Sequence, residues 1–504
     1  MDKKENKGHG FSSRIGLLLT LLGAAIGAGD FWRFPRVVTL NGGGAFLIAY
    51  LVIFFCFAIP IMCAEHGIGR ATRHGLPGAF KDFVGKKCTW MGMFMVAIVI
   101  MVMSTFTTVC AWVLRYLWFA VTNKFAHVDT VELFSTTSER DPVTMVIFIV
   151  ILAFCCFVVS KGISGGIEKS MKVMIPILAI SLVIIVVRSL TLSGASEGLQ
   201  YLFHIDTDYL FRANTWLEAL GQIAWTMGPG FGLILSYAVY TQPKTDITLT
   251  TLTSGLSDTT AAILASTAIC CTLFATLGTE ASYEVMQSGS NGLCFIALPN
   301  LFATMPGGQF FGICFFLALF MAVLTSNFGH VAVVSLALQE LGISRKKAIW
   351  YTGIVTCIIG VPATWNMDIM SREDWVSGTL LIFGALFVCY AVKKFGAKKF
   401  REKFLDRYDE FHLGRWFELT ITIIAPLLSI FVLGAWVYQS ISADPASALD
   451  PFGISSVGTL LLQGALIVIV TVLFNDKVAA RVKNKYFNGE TFPEIPPEHW
   501  DNAQ

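Results

Sequence analysis

The chain has 504 residues, 55% of them hydrophobic and only 14% charged, with a mean hydropathy of +0.67 and a net charge of +2. A soluble domain carries roughly a quarter charged residues, so a water-soluble enzyme is excluded, and the near-neutral balance offers nothing for nucleic acid. The chain is that of a polytopic membrane protein.

Apolar windows of about 20 residues predict twelve transmembrane helices, at 15–38, 44–69, 89–121, 143–160, 168–193, 213–240, 248–277, 307–338, 347–365, 374–393, 418–440 and 456–475. Lys and Arg gather at 3–7, 70–87, 161–172, 244, 345–347, 393–407 and 477–485, which are the N-terminal segment, alternate loops and the C-terminal segment. Positive residues stay inside, so both termini are expected in the cytoplasm. The opening Met-Asp-Lys-Lys carries no cleavable signal. No Asn-x-Ser/Thr acceptor occurs, and of the twelve cysteines only Cys294 falls in an outer loop. A bacterial inner membrane is the expected location. The chain divides into a cytoplasmic segment 1–14, a core 15–393, a unit 394–478 holding the last two spans, and a cytoplasmic tail 479–504. Within the core, two five-helix halves run over about 15–193 and 213–393.

The first span contains Gly23-Ala-Ala-Ile-Gly-Ala-Gly-Asp-Phe-Trp-Arg-Phe-Pro35. Glycines, an acid, an arginine and a proline at membrane depth predict an unwound backbone, which survives only where it is enclosed by protein or lines a cavity. A charged residue there marks a functional site. The sixth span carries Thr226-Met-Gly-Pro-Gly-Phe-Gly232 at its centre, and a Gly-Pro-Gly breaks a helix. Breaks in the first and sixth spans occupy matching positions of two inverted five-span halves, the arrangement that places a transporter's site between them.

Further motifs follow in order: Arg14-x-Gly16, Asn41-Gly-Gly-Gly-Ala-Phe46, the stretch 65–70, Lys161-Gly-Ile-x-x-Gly-Ile-Glu-Lys169, Pro306-Gly-Gly308, Leu324-Thr-Ser326 and Ser344-Arg-Lys346. With the two broken spans, they make the chain resemble the neurotransmitter:sodium symporter family, which includes the bacterial leucine transporter. The resemblance covers all twelve spans and implies an all-α fold with the five-plus-five inverted repeat. It implies sodium-coupled transport of a small organic solute by alternating access, no catalysis and no cofactor beyond Na⁺. The rule linking paired broken helices to a central site was itself drawn in part from this family.

Residue by residue, the resemblance implies a sodium site made by the carbonyls of Gly23, Ile26 and Ala322 and the side chains of Thr325 and Ser326. A second cation site involves Ala25, Asp30, Thr226 and Asp258, with aspartates where the family usually has asparagines. Ala262 replaces the residue that ligates or substitutes for chloride, so chloride is not expected to be needed. The substrate pocket would use Ala25, Gly27, Asp30, Val102, Phe106, Trp225, Gly228, Phe231, Ser326 and His330. Phe106 replaces the tyrosine that binds a substrate carboxylate. Two added acids and one lost hydroxyl favour an amine or other cation lacking a free carboxylate. Gly27, an aspartate in monoamine carriers, keeps a zwitterionic amino acid open, with one of Asp30 and Asp258 then protonated.

Arg33 and Asp374 would form an outer gate, with Glu373 competing for the second place. Tyr240, Glu340 and Lys7 would form the inner gate. A channel needs a continuous polar pore, which spans three, four and eight do not show. A sensor would carry a signalling domain, and no His-Glu-x-x-His pattern suggests an enzyme.

Overall fold

The computed structural model describes residues 10–483 and 486–494. Nine helices among them are long and apolar enough to cross a membrane: Gly44–Thr72, Lys86–Val121, Pro142–Ser160, Ile163–Leu190, Ile247–Leu277, Gly308–Glu340, Arg345–Trp365, Met367–Phe395 and Gly414–Ala443. A tenth span is the pair Val457–Leu473 and Asn475–Arg481, bent by 49°. The remaining two predicted spans are the broken ones, in the places the glycines indicated. Below, "outer" and "inner" follow the orientation set by the basic loops.

The first span runs as Arg14–Ala25, Ala28–Trp32 and Phe34–Leu40. Ser13 caps its start, accepting the Gly16 amide at 3.0 Å. At the break Ile26 and Gly27 are extended. The sixth span runs as Ala213–Thr226 and Leu233–Ala238. Between them Gly228, Gly230 and Gly232 all have positive φ, a conformation that costs side-chain-bearing residues roughly 1–2 kcal/mol. At Gly230 the close approach is equally demanding, since an added Cβ would sit 2.2 Å from the Ala385 amide nitrogen.

Span three lies along span eight, and span one packs on spans five and seven. Trp112 is buried toward the outer end of span three, edge-on to Phe134 and Phe295 of the outer loops. Cys294 does lie in an outer loop, but buried, with its thiol 3.6 Å from the Phe31 carbonyl. Large apolar side chains such as Phe154, Ile180, Ile358, Leu427 and Leu466 remain exposed on the outer faces of the bundle. For a chain this apolar, that surface faces lipid.

Span ten starts at Met367 rather than 374, because Asn366 caps it by accepting the Ile369 amide at 3.0 Å. Its first two turns carry Asp368, Arg372, Glu373 and Asp374, which a hydropathy window discards.

Candidate functional site

Both breaks meet at the level of Asp30. This residue stands in the first turn of the short helix Ala28–Trp32 and its Oδ2 accepts the Gly27 amide at 2.9 Å, closing the end of the half-helix. Asp258, from the middle of span seven, lies against it, and both carboxyl groups are fully buried. Asp30 Oδ1 and both Asp258 oxygens have no donor among the described residues. Thr226 borders the same space: its hydroxyl donates to the Gln222 carbonyl at 3.0 Å and lies 3.5 Å from the Tyr50 hydroxyl. Tyr50 also neighbours both acids. Sequence reasoning does not find it, since one tyrosine in an apolar span carries no signal of its own. Ala25 is buried at the same break.

One turn away a cluster of oxygens forms between spans one and eight. The Ser326 hydroxyl lies 3.5 Å from the Ile26 carbonyl and 3.2 Å from that of Ala322. The Thr325 hydroxyl lies 2.9 Å from the carbonyls of Met321 and Ala322. Ile26, Ala322, Thr325 and Ser326 therefore converge, a hard-oxygen set that fits Na⁺. Gly23 is buried one turn before Ile26 against span five, packed so tightly on Met171 that an added Cβ would sit 2.6 Å from its sulfur.

The predicted pocket residues also converge. A Cβ at Gly27 would stand 3.6 Å from Ser326 Oγ and 3.9 Å from the Phe106 ring. The Phe106 ring meets His330 edge-on at 5.3 Å, and Phe231 lies 6.4 Å from the same imidazole. His330 Nδ1 is 3.5 Å from Asn327 Oδ1. Phe231 folds under Gly228, where any side chain would collide with its ring. Val102 is buried one turn before Phe106.

Phe106 and Trp225 also line a cavity of about 460 Å³ on the outer side, together with Thr105, Arg33 and Asp374. On the inner side the segment before span one is pinned to spans five and six: Glu168 accepts the Ser12 amide at 2.7 Å and Phe11 packs on Tyr237.

The gates depart from expectation. Arg33 and Asp374 both face the cavity, but the Arg33 guanidinium donates to Glu218 at 2.8 Å and to Gln222 at 2.9 Å. The expected Arg33–Asp374 pair is not joined, because Glu218 and Gln222, one turn apart on span six, hold the arginine on their own side. Glu373 does not face the cavity wall; it accepts the Ser104 hydroxyl at 2.7 Å between spans three and ten. Glu340 accepts the amides of Gly75 and Gly78, at 2.5 and 2.9 Å, and so caps the helix Leu76–Phe83. Tyr240 is buried just beyond the inner half of span six. Lys7 lies outside the described residues.

A model of the sodium:neurotransmitter symporter family matches residues 9–146 and 135–479. The chain belongs to this family. It is a sodium-dependent transporter and not an enzyme. It is 33% identical to an uncharacterized sodium-dependent transporter of Methanocaldococcus jannaschii, over 83% of this chain and 88% of the relative. It is 24% identical to the sodium-dependent neutral amino acid transporter B(0)AT3 of Rattus norvegicus, over 86% of this chain and 85% of the other. To the sodium-dependent serotonin transporter of Drosophila melanogaster it is 27% identical, over 64% and 58%. Its fold is similar to that of MhsT in complex with L-phenylalanine, with a TM-score of 0.72, 25% identity, and coverage of 85% of this chain and 99% of that one.

Proposed function

We propose that this family member takes up a small, amino-acid-derived organic cation without a free carboxylate, driven by Na⁺. The observation that carries the reading is the facing pair Asp30 and Asp258, buried and short of donors. Two carboxylates and one Na⁺ leave a charge of −1, and an ammonium balances it. An uncompensated carboxylate in a membrane span costs about 2.5–3.5 kcal/mol, so selection by charge is strong. Phe106 supplies a ring where a carboxylate would want a hydroxyl donor, and a cation over such a ring gains roughly 0.5–2 kcal/mol.

Substrate enters through the outer cavity, past Trp225 and Phe106. Na⁺ held by Ile26, Ala322, Thr325 and Ser326 ties the broken first span to span eight, and so favours one orientation of the moving helices. A ligand shifts such an equilibrium only through its differential affinity for the two states. Spans one and six then rock against the scaffold and open the site inward. Chloride plays no part, because Ala262 cannot ligate an anion and Asp258 already supplies negative charge. The protein works in a bacterial inner membrane with both termini cytoplasmic.

A zwitterionic amino acid is the second reading. Gly27 offers no side-chain acid, and MhsT, of similar fold, was solved with L-phenylalanine. Thermal-shift measurements on amines and on their parent amino acids, with and without Na⁺, separate the two. Stabilisation by amines in Na⁺ alone supports the first reading; stabilisation by amino acids alone supports the second.

A further inference from the structure

Arg70 and Arg73 end span two on the inner side, fully buried; both donate to backbone carbonyls, and the Asp409 and Asp246 carboxyl groups lie near Arg70. Arg73 Nη1 donates to the carbonyls of Val239 at 2.8 Å and of Thr241 at 2.6 Å, just beyond the inner half of span six. Arg70 donates to the carbonyls of Pro243 and Thr245 in the same loop, and to that of Phe404 at 3.1 Å. The C-terminal segment completes both shells. Arg73 Nε donates to the Pro493 carbonyl at 3.0 Å, and the Phe492 ring lies 3.8 Å from the Arg70 guanidinium.

The same segment is fastened elsewhere. Glu490 pairs with Lys403, and its carbonyl accepts Arg407 at 2.8 Å. Phe487 inserts beside Phe83 at 4.6 Å between centroids. Residues 486–494 thus bridge the inner ends of spans two and six and the loop between spans ten and eleven.

We propose that this segment is a cytoplasmic strap: docked on Arg70 and Arg73 it holds the inner gate shut, and inward opening requires its release. The inner half of span six cannot swing away while the guanidinium that grips its following loop also grips Pro493. Undocking leaves an Arg73 N–H without its carbonyl and Arg70 without its ring, which loosens the carbonyl cage as a whole. The inference rests on the alternating-access reading above.

Hydrogen exchange across residues 233–245 of the full-length chain tests it, comparing wild type with Phe492→Ala and with the milder Glu490→Gln, each in Na⁺. Loss of a contact worth about 1.4 kcal/mol predicts about tenfold faster exchange there in Phe492→Ala and a smaller rise in Glu490→Gln. Exchange at 320–330 is expected to stay unchanged, which distinguishes gate opening from misfolding. Unchanged exchange at 233–245 in both variants, or a rise spread equally over the whole chain, overturns the strap. Failure of Na⁺ to alter exchange anywhere in the wild type instead counts against the sodium-coupled cycle.

Discussion

The Glu65 carboxylate accepts the amide of Gly232 at 2.7 Å, and its other oxygen takes that of Gly230 at 3.3 Å. A single acid of span two thereby satisfies two of the donors left free where span six unwinds. Without it those amides stand in an apolar interior with no water to take them. The break in span six is therefore a two-part construction: glycines that permit it and a glutamate that stabilises it.

Replacing that glutamate tests the second part. Glu65→Gln keeps one acceptor but turns an amide NH₂ toward a backbone donor, leaving one buried amide without its partner at a cost of roughly 1–3 kcal/mol. The variant is expected to melt several degrees lower and to lose most transport. Wild-type melting and uptake would show that the loop is held by other means.

The oxygen cluster between spans one and eight predicts sodium dependence. Thr325→Ala combined with Ser326→Ala removes both hydroxyls while leaving the Ile26 and Ala322 carbonyls. Sodium-driven uptake is expected to vanish with expression and melting in Na⁺-free buffer intact. Uptake at full rate in choline buffer without a proton gradient would contradict the assignment.

Chloride is expected not to matter. Exchanging it for gluconate leaves uptake unchanged if Asp258 supplies the negative charge beside Tyr50 and Thr226. A several-fold loss would place the charge balance elsewhere.

Much of this architecture is legible in the amino-acid sequence. The two breaks announce themselves because glycine, proline and acid are costly at membrane depth, and Thr325 and Ser326 are recognisable by their motif. Other features depend on contacts between residues far apart in the chain. Glu218 is unreadable as the partner of Arg33 because it lies 185 positions away, and nothing in the sequence of span six says which neighbour it faces. Tyr50 and Glu65 act only because spans six and seven fold against span two. Span ten begins two turns before its apolar run because Asn366 caps it there, and its first turns place Ser371 and Asp374 on the outer cavity, which hydropathy cannot distinguish from water.

His74 gives a pH dependence at the inner surface. Burial opposes its charged form, but Asp82 at 3.1 Å and the Glu340 carboxylate outweigh that and hold its pKa above the ordinary value. A raised folded-state pKa adds stability that is fully present below about pH 6.5 and is lost as pH rises through the folded value. Melting is expected to fall as pH rises from about 6.5 through the folded-state value, and His74→Gln to shrink that fall. An identical pH profile in the variant would remove His74 from the account.

The central claim is that Asp30 and Asp258 select a cation, and competition for uptake between amino acids and their decarboxylated amines tests it most directly. In wild type the amines are expected to compete in Na⁺ and the parent amino acids to compete poorly. Asp30→Asn is expected to weaken the amines and, if anything, to improve the amino acids, which bring their own carboxylate to the sodium. If wild type takes amino acids and ignores their amines, the claim is wrong.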